Sequence, residues 1–404
     1  MLRRICVFSA AYGFSRISRT DVSPSPLPRS ALSRYPAVMD QQTLNDALEW
    51  GKAVAGRFDS IEYARLVETV GGYRRGTAVL SDGSVIPGYP SIGRVQSLAA
   101  GLQRHYQGPF WAEEKMDGFN VRIVRDGERT VAFSRGGFIC AFSTDRLPDL
   151  LDTTVLDDHP ELILCVEIAG PDNPYLEGHP PQITEDVQLF VFDMMRKGED
   201  GFLPQAEKMA LLERYGLPST RIFGRFQPDD VEALEELILQ LDAEGSEGLV
   251  FKGETDGGRA KYVTGRSSVA DLEICSDQLL DLPPEYFTNR LLRLGLFVAE
   301  HGQAGDAELE RSLGRAFIDG VTRAVARSRG VGRVGRRFRC RFRERRYAEM
   351  FMRHIKATGG QRVLIDEAMP LQDKDGYWLL EFERVLERMT GTLANTLAGA
   401  SQYD

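Results

Sequence analysis

Cysteine and histidine are scarce in this chain of 404 residues, at five each. The cysteines (Cys6, Cys140, Cys165, Cys275, Cys340) are scattered, odd in number and form no C-x-x-C pair. That excludes a zinc ribbon and a disulfide framework, and a reducing cytoplasm fits best. The histidines lack close pairing, so no histidine-based metal site is expected. A divalent ion would rest on carboxylates and substrate phosphates, which suits Mg2+ or Mn2+. No apolar run approaches the roughly 18–20 residues that span a membrane. There is no G-x-x-x-x-G-K-[S/T] loop, so P-loop phosphate binding has no support. Gly330-Val331-Gly332-Arg333-Val334-Gly335 matches G-x-G-x-x-G, but no apolar strand precedes it and no acidic partner follows. No internal repeat is evident.

What is present is ordinary for a soluble globular protein: 42% apolar and 27% charged residues. The length predicts two to four structural units. The net charge of -9 is unevenly spread, since residues 1–39 hold six arginines and one aspartate. A second basic block lies late in the chain, and local patches matter more than the total for a nucleic-acid partner. Residues 1–38, rich in Ser, Pro and Arg, read as a disordered leader or as an upstream extension with Met39 the real beginning.

Residues 39–95 form an N-terminal unit with helical spacing over 40–72 and turn signals over 73–95. Residues 96–275 alternate short Val-, Ile- and Phe-rich strands with two helices, near 205–215 and 228–242. Mostly antiparallel strands with a few helices define an α+β fold. Residues 276–325 are expected to form two helices broken near Gly302–Gly305. In the last unit, 326–404, the alternating Arg and Phe or Cys of 333–347 predict a strand. A helix over 347–358 and a final strand and helix follow.

Chemistry centres on Glu113-Glu114-Lys115-Met116-Asp117-Gly118, a K-x-D-G pattern between two strands, with Asn120 five past the lysine. A lysine amine attacks a nucleotide α-phosphate only when deprotonated, and surrounding cations with a metal would lower its pKa. Ser134-Arg135-Gly136-Gly137 reads either as a hairpin turn or as an arginine held against a phosphate. Glu167 stands alone in the apolar strand Leu164–Gly170, either as a solvent-facing edge residue or as a metal-bound carboxylate. Phe190 and Phe192 share a strand face; Phe190 reads as core, and one aromatic could stack on a purine. Glu247-Gly-Leu-Val-Phe-Lys252 precedes Arg259-Ala-Lys261. These are either a solvated basic edge or the cations that hold a triphosphate. The arginine run 333–346 reads either as a solvated edge strand or an interface paired with the acidic catalytic unit, or as a contact for RNA phosphates. His354, in an amphipathic helix, reads as structural.

In this order the motifs resemble the covalent nucleotidyltransferase superfamily of DNA ligases, RNA ligases and mRNA capping enzymes. The resemblance implies Lys115 as the nucleophile that carries AMP. It implies nucleotide-binding roles for Glu113, Asn120, Arg135, Glu167, Phe192, Lys252, Arg259 and Lys261, with Glu167 and Glu247 as metal ligands. Arg259 stands where many relatives carry a second lysine. Glu-Glu-Lys-x-Asp-Gly-Phe-Asn-Val-Arg, Lys-Tyr-Val-Thr and Tyr-Pro-Ser-Ile-Gly-Arg are similar to the archaeal-type homodimeric ATP-dependent RNA ligases, and Asn120 favours RNA over DNA ligases. That family implies an antiparallel-sheet, ATP-grasp-like nucleotidyltransferase domain over 96–275. It also implies a helical dimerisation domain over 276–325 and a small C-terminal α/β domain over 326–404. ATP with Mg2+ or Mn2+, RNA ends and a second copy of the chain are the implied cofactors and partners. The expected activity is joining, or repair, of 5′-phosphate and 3′-hydroxyl RNA ends through lysyl-AMP. The other readings are a DNA ligase, a GTP-using capping enzyme, and a non-catalytic RNA-binding dimer.

Overall fold

The computed structural model describes residues 38–254, 257–357 and 362–400. The leader expected over 1–38 lies outside them, apart from Val38. Asp40 caps α1 (Gln41–Glu49), its carboxylate accepting from the Thr43 amide at 2.9 Å. The helix stops there, short of the helical segment expected to Gly72. Gly51, at φ 69°, ends it, and β1 (Ala53–Phe58) pairs with β2 (Ile61–Leu66) instead. Gly56 lies opposite Tyr63, whose ring approaches to 2.7 Å of where a Cβ would stand, so the glycine lets the two strands close. β3 (Ala78–Leu80) and β4 (Val85–Ile86) complete this antiparallel sheet.

The middle of the chain builds two sheets. β5 (Gly93–Arg94), α2 (Leu98–His105), β6 (Phe110–Lys115), β7 (Phe119–Asp126) and β8 (Arg129–Ser134) come first. They are followed by α3 (Ala141–Leu150), α4 (Thr154–Asp158), β9 (Leu162–Ala169), β10 (Gln188–Arg196) and α5 (Gln205–Tyr215). Then come β11 (Ile222–Phe226), α6 (Val231–Glu244), β12 (Gly248–Gly253), β13 (Arg259–Val263) and α7 (Gly265–Cys275). Where two helices were expected, α2, α3, α4 and α7 are also present. α2 and α4 are short, α3 contains Pro148, and α7 opens on Gly-Arg-Ser-Ser, a poor helical signal.

One sheet has the order β11-β6-β12-β13-β5 and the other β10-β9-β7-β8. Strand alternation divides the residues of each. Phe110, Ala112, Leu249, Phe251, Ala260 and Tyr262 turn to the back of the first sheet and pack with α2 and α6. Val121, Ile123, Leu164 and Val166 turn to the back of the second and join the largest apolar core. The two front faces meet, and they carry charge: Arg259 and Lys252 of the first sheet pair with Asp193 of the second.

Beyond them lie α8 (Pro284–Glu300), α9 (Ala307–Val331), β14 (Gly335–Phe342), α10 (Arg345–Ala357), β15 (Val363–Ile365), β16 (Leu371–Gln372), β17 (Trp378–Val385) and α11 (Glu387–Leu397). β17 continues through EFERV, and α11 begins only at Glu387; Leu380, Phe382 and Val385 are the buried apolar positions of β17, and Glu383 is buried with them. Every pairing in this sheet is antiparallel. Phe338, Phe342, Phe351 and Phe382 share one core with the second sheet. Several arginines of the run are tied to acids. Arg336 pairs with Asp277 and Glu177, Arg341 with Asp172 and Asp373, and Arg343 with Asp149. Among the described residues no helix is long and apolar enough to cross a membrane.

Candidate active site

The two front faces diverge at one end into a cleft of about 630 Å3. Lys115 ends β6 there. Three residues later the chain turns into β7, and Gly118 lies so close to β9 that a Cβ would come within 2.5 Å of the Ile168 carbonyl oxygen. The glycine of K-x-D-G therefore serves the approach of two strands as well as room for a ligand. From the facing sheet come Asn120 and Glu167, cross-strand neighbours, and Arg135 just past β8. Glu247, just before β12, and Lys261, on β13, complete the set. Asn120 Oδ1 is buried without a hydrogen-bond partner, an acceptor available to a ligand donor.

The electrostatics differ from the expectation for Lys115. Lys115 is ion-paired with Glu247. Burial favours its neutral form, but Glu247 and then Glu167 outweigh burial and hold its pKa above the ordinary lysine value. The expected cation effect falls on Lys261 instead: burial, then Lys115 and Arg94, push it down to about 7. Burial, with Glu247 and Asp117 adding repulsion, pushes Glu167 up to about 8. Burial, then Glu247 and Asp271, raise Asp117 to about 7. Crowded carboxylates of this kind suit a hard divalent cation. Among the described residues no group of three or more His, Cys, Asp or Glu is placed to hold a metal alone. The donor set fits an ion that arrives with phosphate oxygens.

Four residues expected at the nucleotide lie away from the cleft wall. Glu113, on the same face of β6 as Lys115, is bonded to Lys208 at 2.5 Å, Lys252 at 2.7 Å and Thr220 at 3.3 Å. Arg259 is bonded to Asp193 at 3.0 and 3.2 Å. Together they fill the layer between the sheets below the cleft, where each buried charge finds an opposite one. Phe192 lends its carbonyl to Lys208 and Lys252, and its ring packs near Tyr89. A β-bulge falls at Phe192, between Val191 and Asp193, and the Lys252 amine lies 5.9 Å from the centre of its ring. Phe190 lies opposite Glu167 and packs with Met116, Ala169 and Ile183.

Asp117, Arg94, Asp271, Arg290 and Arg293 also line the cleft. Asp117 and Arg94 stand inside motifs already conspicuous in the sequence. Arg290 and Arg293 are signalled only by their spacing with Tyr286 and Phe297 on one helical face.

Comparison with known proteins agrees with this arrangement. Residues 108–263 match the family model described as RNA ligase, and residues 275–400 the model described as Ligase Pab1020 C-terminal region. A solved structure called a putative ATP-dependent DNA ligase, from Aquifex aeolicus, is 42% identical; the alignment covers 90% of this chain and 100% of that one, with a TM-score of 0.86. An archaeal ATP-dependent RNA ligase is 27% identical over 89% of this chain and 96% of its own, with a TM-score of 0.81. An uncharacterized protein from Methanocaldococcus jannaschii is 29% identical over 70% of this chain and 75% of its own. Two facing, mainly antiparallel sheets with a lysine at the head of their cleft thus define a nucleotidyltransferase-type ligase. The chain belongs to the ATP-dependent ligase family that includes the archaeal ATP-dependent RNA ligases.

Proposed function

We propose that this chain is an ATP-dependent RNA ligase that joins 5′-phosphate and 3′-hydroxyl RNA ends through AMP carried on Lys115. The observation that carries this reading is the convergence of Lys115, Asn120, Arg135, Glu167, Glu247 and Lys261 on one cleft. In the first step the Lys115 ammonium loses a proton and Nζ attacks the α-phosphorus of ATP. The Nζ–P bond forms, the bond to the bridging oxygen breaks, and pyrophosphate leaves with the electron pair; a second proton leaves the nitrogen. An RNA 5′-phosphate oxygen then displaces the lysine, which regains its protons. A 3′-hydroxyl finally attacks that 5′-phosphorus and releases AMP. Such displacements depend on positioning and charge neutralisation. Mg2+ or Mn2+ held by Glu167, Glu247 and the phosphates would supply positive charge at the transferring group. Glu247 holds Lys115 in place and is the nearest acceptor for its proton. Lys261 and Arg135 meet phosphate charge, and the unpaired Asn120 oxygen suits a ribose hydroxyl.

The helical α8–α9 region, in place of a strand-rich barrel, and the cover of 96% of the archaeal RNA ligase favour RNA. The name of the Aquifex relative favours a DNA ligase as the second reading. The test is incubation with α-labelled ATP and Mg2+. Label that survives denaturation and alkali but is released by acid, as an Nζ–P bond is, is expected on the wild type, with on the order of a thousandfold less on Lys115→Ala. Equal labelling of the variant, or none on the wild type, would end the enzyme reading, and label from GTP alone would favour capping chemistry. Transfer of AMP to nicked DNA but not to 5′-phosphorylated RNA would favour the second reading. A second copy of the chain and a cytoplasmic setting complete the proposal. The buried free thiols of Cys140, Cys165, Cys275 and Cys340 suit a reducing compartment.

A further inference from the structure

Arg94, Arg290 and Arg293 reach the cleft from outside the strands that carry the expected motifs. Arg94 ends the edge strand β5, in register with Lys261. Arg290 and Arg293 share the inner face of α8 with buried Tyr286 and Phe297, at i, i+4, i+7 and i+11. Arg290 Nε donates to Asp271 at 2.8 Å, and its guanidinium lies 3.3 Å above the Tyr286 ring. Arg293 donates to the same Asp271 oxygen at 3.2 Å and to Ser268 Oγ at 2.8 Å. One carboxylate thus serves two guanidiniums, and Arg94 adds a third cation to the same wall. Burial, then Arg293, holds Arg94 below the usual arginine range; burial, with Arg290 adding repulsion, does the same to Arg293. Like charges crowded on a concave wall favour an anion between them.

These cations share one cleft with the nucleophile, and Arg94 is the cross-strand neighbour of Lys261. Lys261 feels both Lys115 and Arg94, and Arg94 feels Arg293 and Arg290. An α-phosphate between Lys115 and Lys261 would bring its β- and γ-phosphates within reach of Arg94 and the cleft wall it shares with Arg290 and Arg293. In-line displacement adds a requirement. Pyrophosphate departs on the side away from Lys115 Nζ, and the 5′-phosphate that later displaces the lysine enters from that same side. Resting on the ligase reading above, we infer that Arg94, Arg290 and Arg293 form one phosphate subsite, used first by the leaving pyrophosphate and then by the 5′-phosphate of the nucleic acid.

The test uses the full chain as wild type, Arg94→Gln, Arg293→Gln and Arg94→Lys. Two half-saturating concentrations are read from the preformed enzyme–AMP adduct: inorganic pyrophosphate for discharge of the label, and a 5′-phosphorylated oligoribonucleotide for AMP transfer. Each Arg→Gln change is expected to raise both roughly tenfold to a hundredfold, the worth of one charged hydrogen bond. Arg94→Lys recovers part of the loss, and binding of a 5′-hydroxyl oligonucleotide does not change. No effect in either arm overturns the subsite, and an effect in one arm alone overturns its sharing. A wild type that forms no adduct defeats the ligase reading separately. Calorimetric titration of pyrophosphate into the unlabelled chain still reads the subsite then: weaker binding to Arg94→Gln supports it, and equal binding overturns it.

Discussion

Glu113 and Lys115 project from the same face of β6, two residues apart. One lies between the sheets and the other opens on the cleft, and their energetics differ accordingly. A buried carboxylate is tolerable only when paired. Burial alone would raise Glu113, but Lys252 and Lys208 reverse that and hold it below the usual glutamate range. Burial, then Lys252, pushes Lys208 down to about 7, so the cluster sheds part of its positive excess through that lysine. Glu113→Gln keeps the shape and removes the charge, leaving two lysines facing each other. The expected cost is about 3–5 kcal/mol, a clear fall in the thermal unfolding midpoint. Lys115→Ala, whose partner Glu247 keeps 19% of its side chain exposed, is expected to unfold within about 2 °C of the wild type. If Glu113→Gln melts with the wild type, the inter-sheet charges are not a structural cluster and a direct ligand role for Glu113 returns.

At the scale of elements, the alternation of β14 decides the fate of the arginine run. Phe338, Cys340 and Phe342 enter the core, while Arg339, Arg341 and Arg343 meet acids of the catalytic unit from the other face. Arg336, with 13% of its side chain exposed, shares the inward parity and ties Asp277 to Glu177, a residue of the cleft wall. Arg337 is exposed. Arg336→Ala is therefore expected to destabilise by about 3 kcal/mol, and Arg337→Ala by less than about 0.5 kcal/mol. Chemical denaturation of both variants checks this, and equal midpoints would remove the seam from the argument. The strand itself was legible because a two-residue period survives in Arg-Phe-Arg-Cys-Arg-Phe. Its partners were not, since Asp172 and Asp277 lie more than fifty residues away in the chain. The same limit separates Lys115 from Glu113. Both sit in one motif, but only the packing of β6 against β10 and α5 shows which one reaches the cleft. Helices α5, α8 and α9 were legible from long periodic runs. The β1–β2 hairpin was not, because SIEYARL satisfies a helical period until Gly51 and Gly56 are seen to break it. The bulge at Phe192 was not legible for a related reason: a bulge has no signature in a run of alternating apolar residues.

For the whole molecule, the open question is what covers α8 and α9. Their inner faces hold Tyr286, Phe287, Phe297 and Ala316. Their outer faces leave Leu296 38% and Ile318 68% exposed, and Leu291 is 39% exposed. Single exposed leucines are common, but several on neighbouring helices cost free energy in water at roughly 25 cal/mol per Å2. A second copy offering the same helices would bury them symmetrically, as a two-fold interface requires. The proposed dimer therefore predicts twice the monomer mass by light scattering at micromolar concentration. Leu296→Glu with Ile318→Glu places like charges across the axis and is expected to yield the monomer mass. The two side chains lie outside the cleft lining, so adduct formation on Lys115 should persist if each protomer holds a complete site. A wild type that sizes as a monomer refutes the dimer. A monomeric variant that loses adduct formation while keeping its thermal midpoint would mean that the second copy contributes to the cleft, where Leu292 of α8 already stands at the mouth.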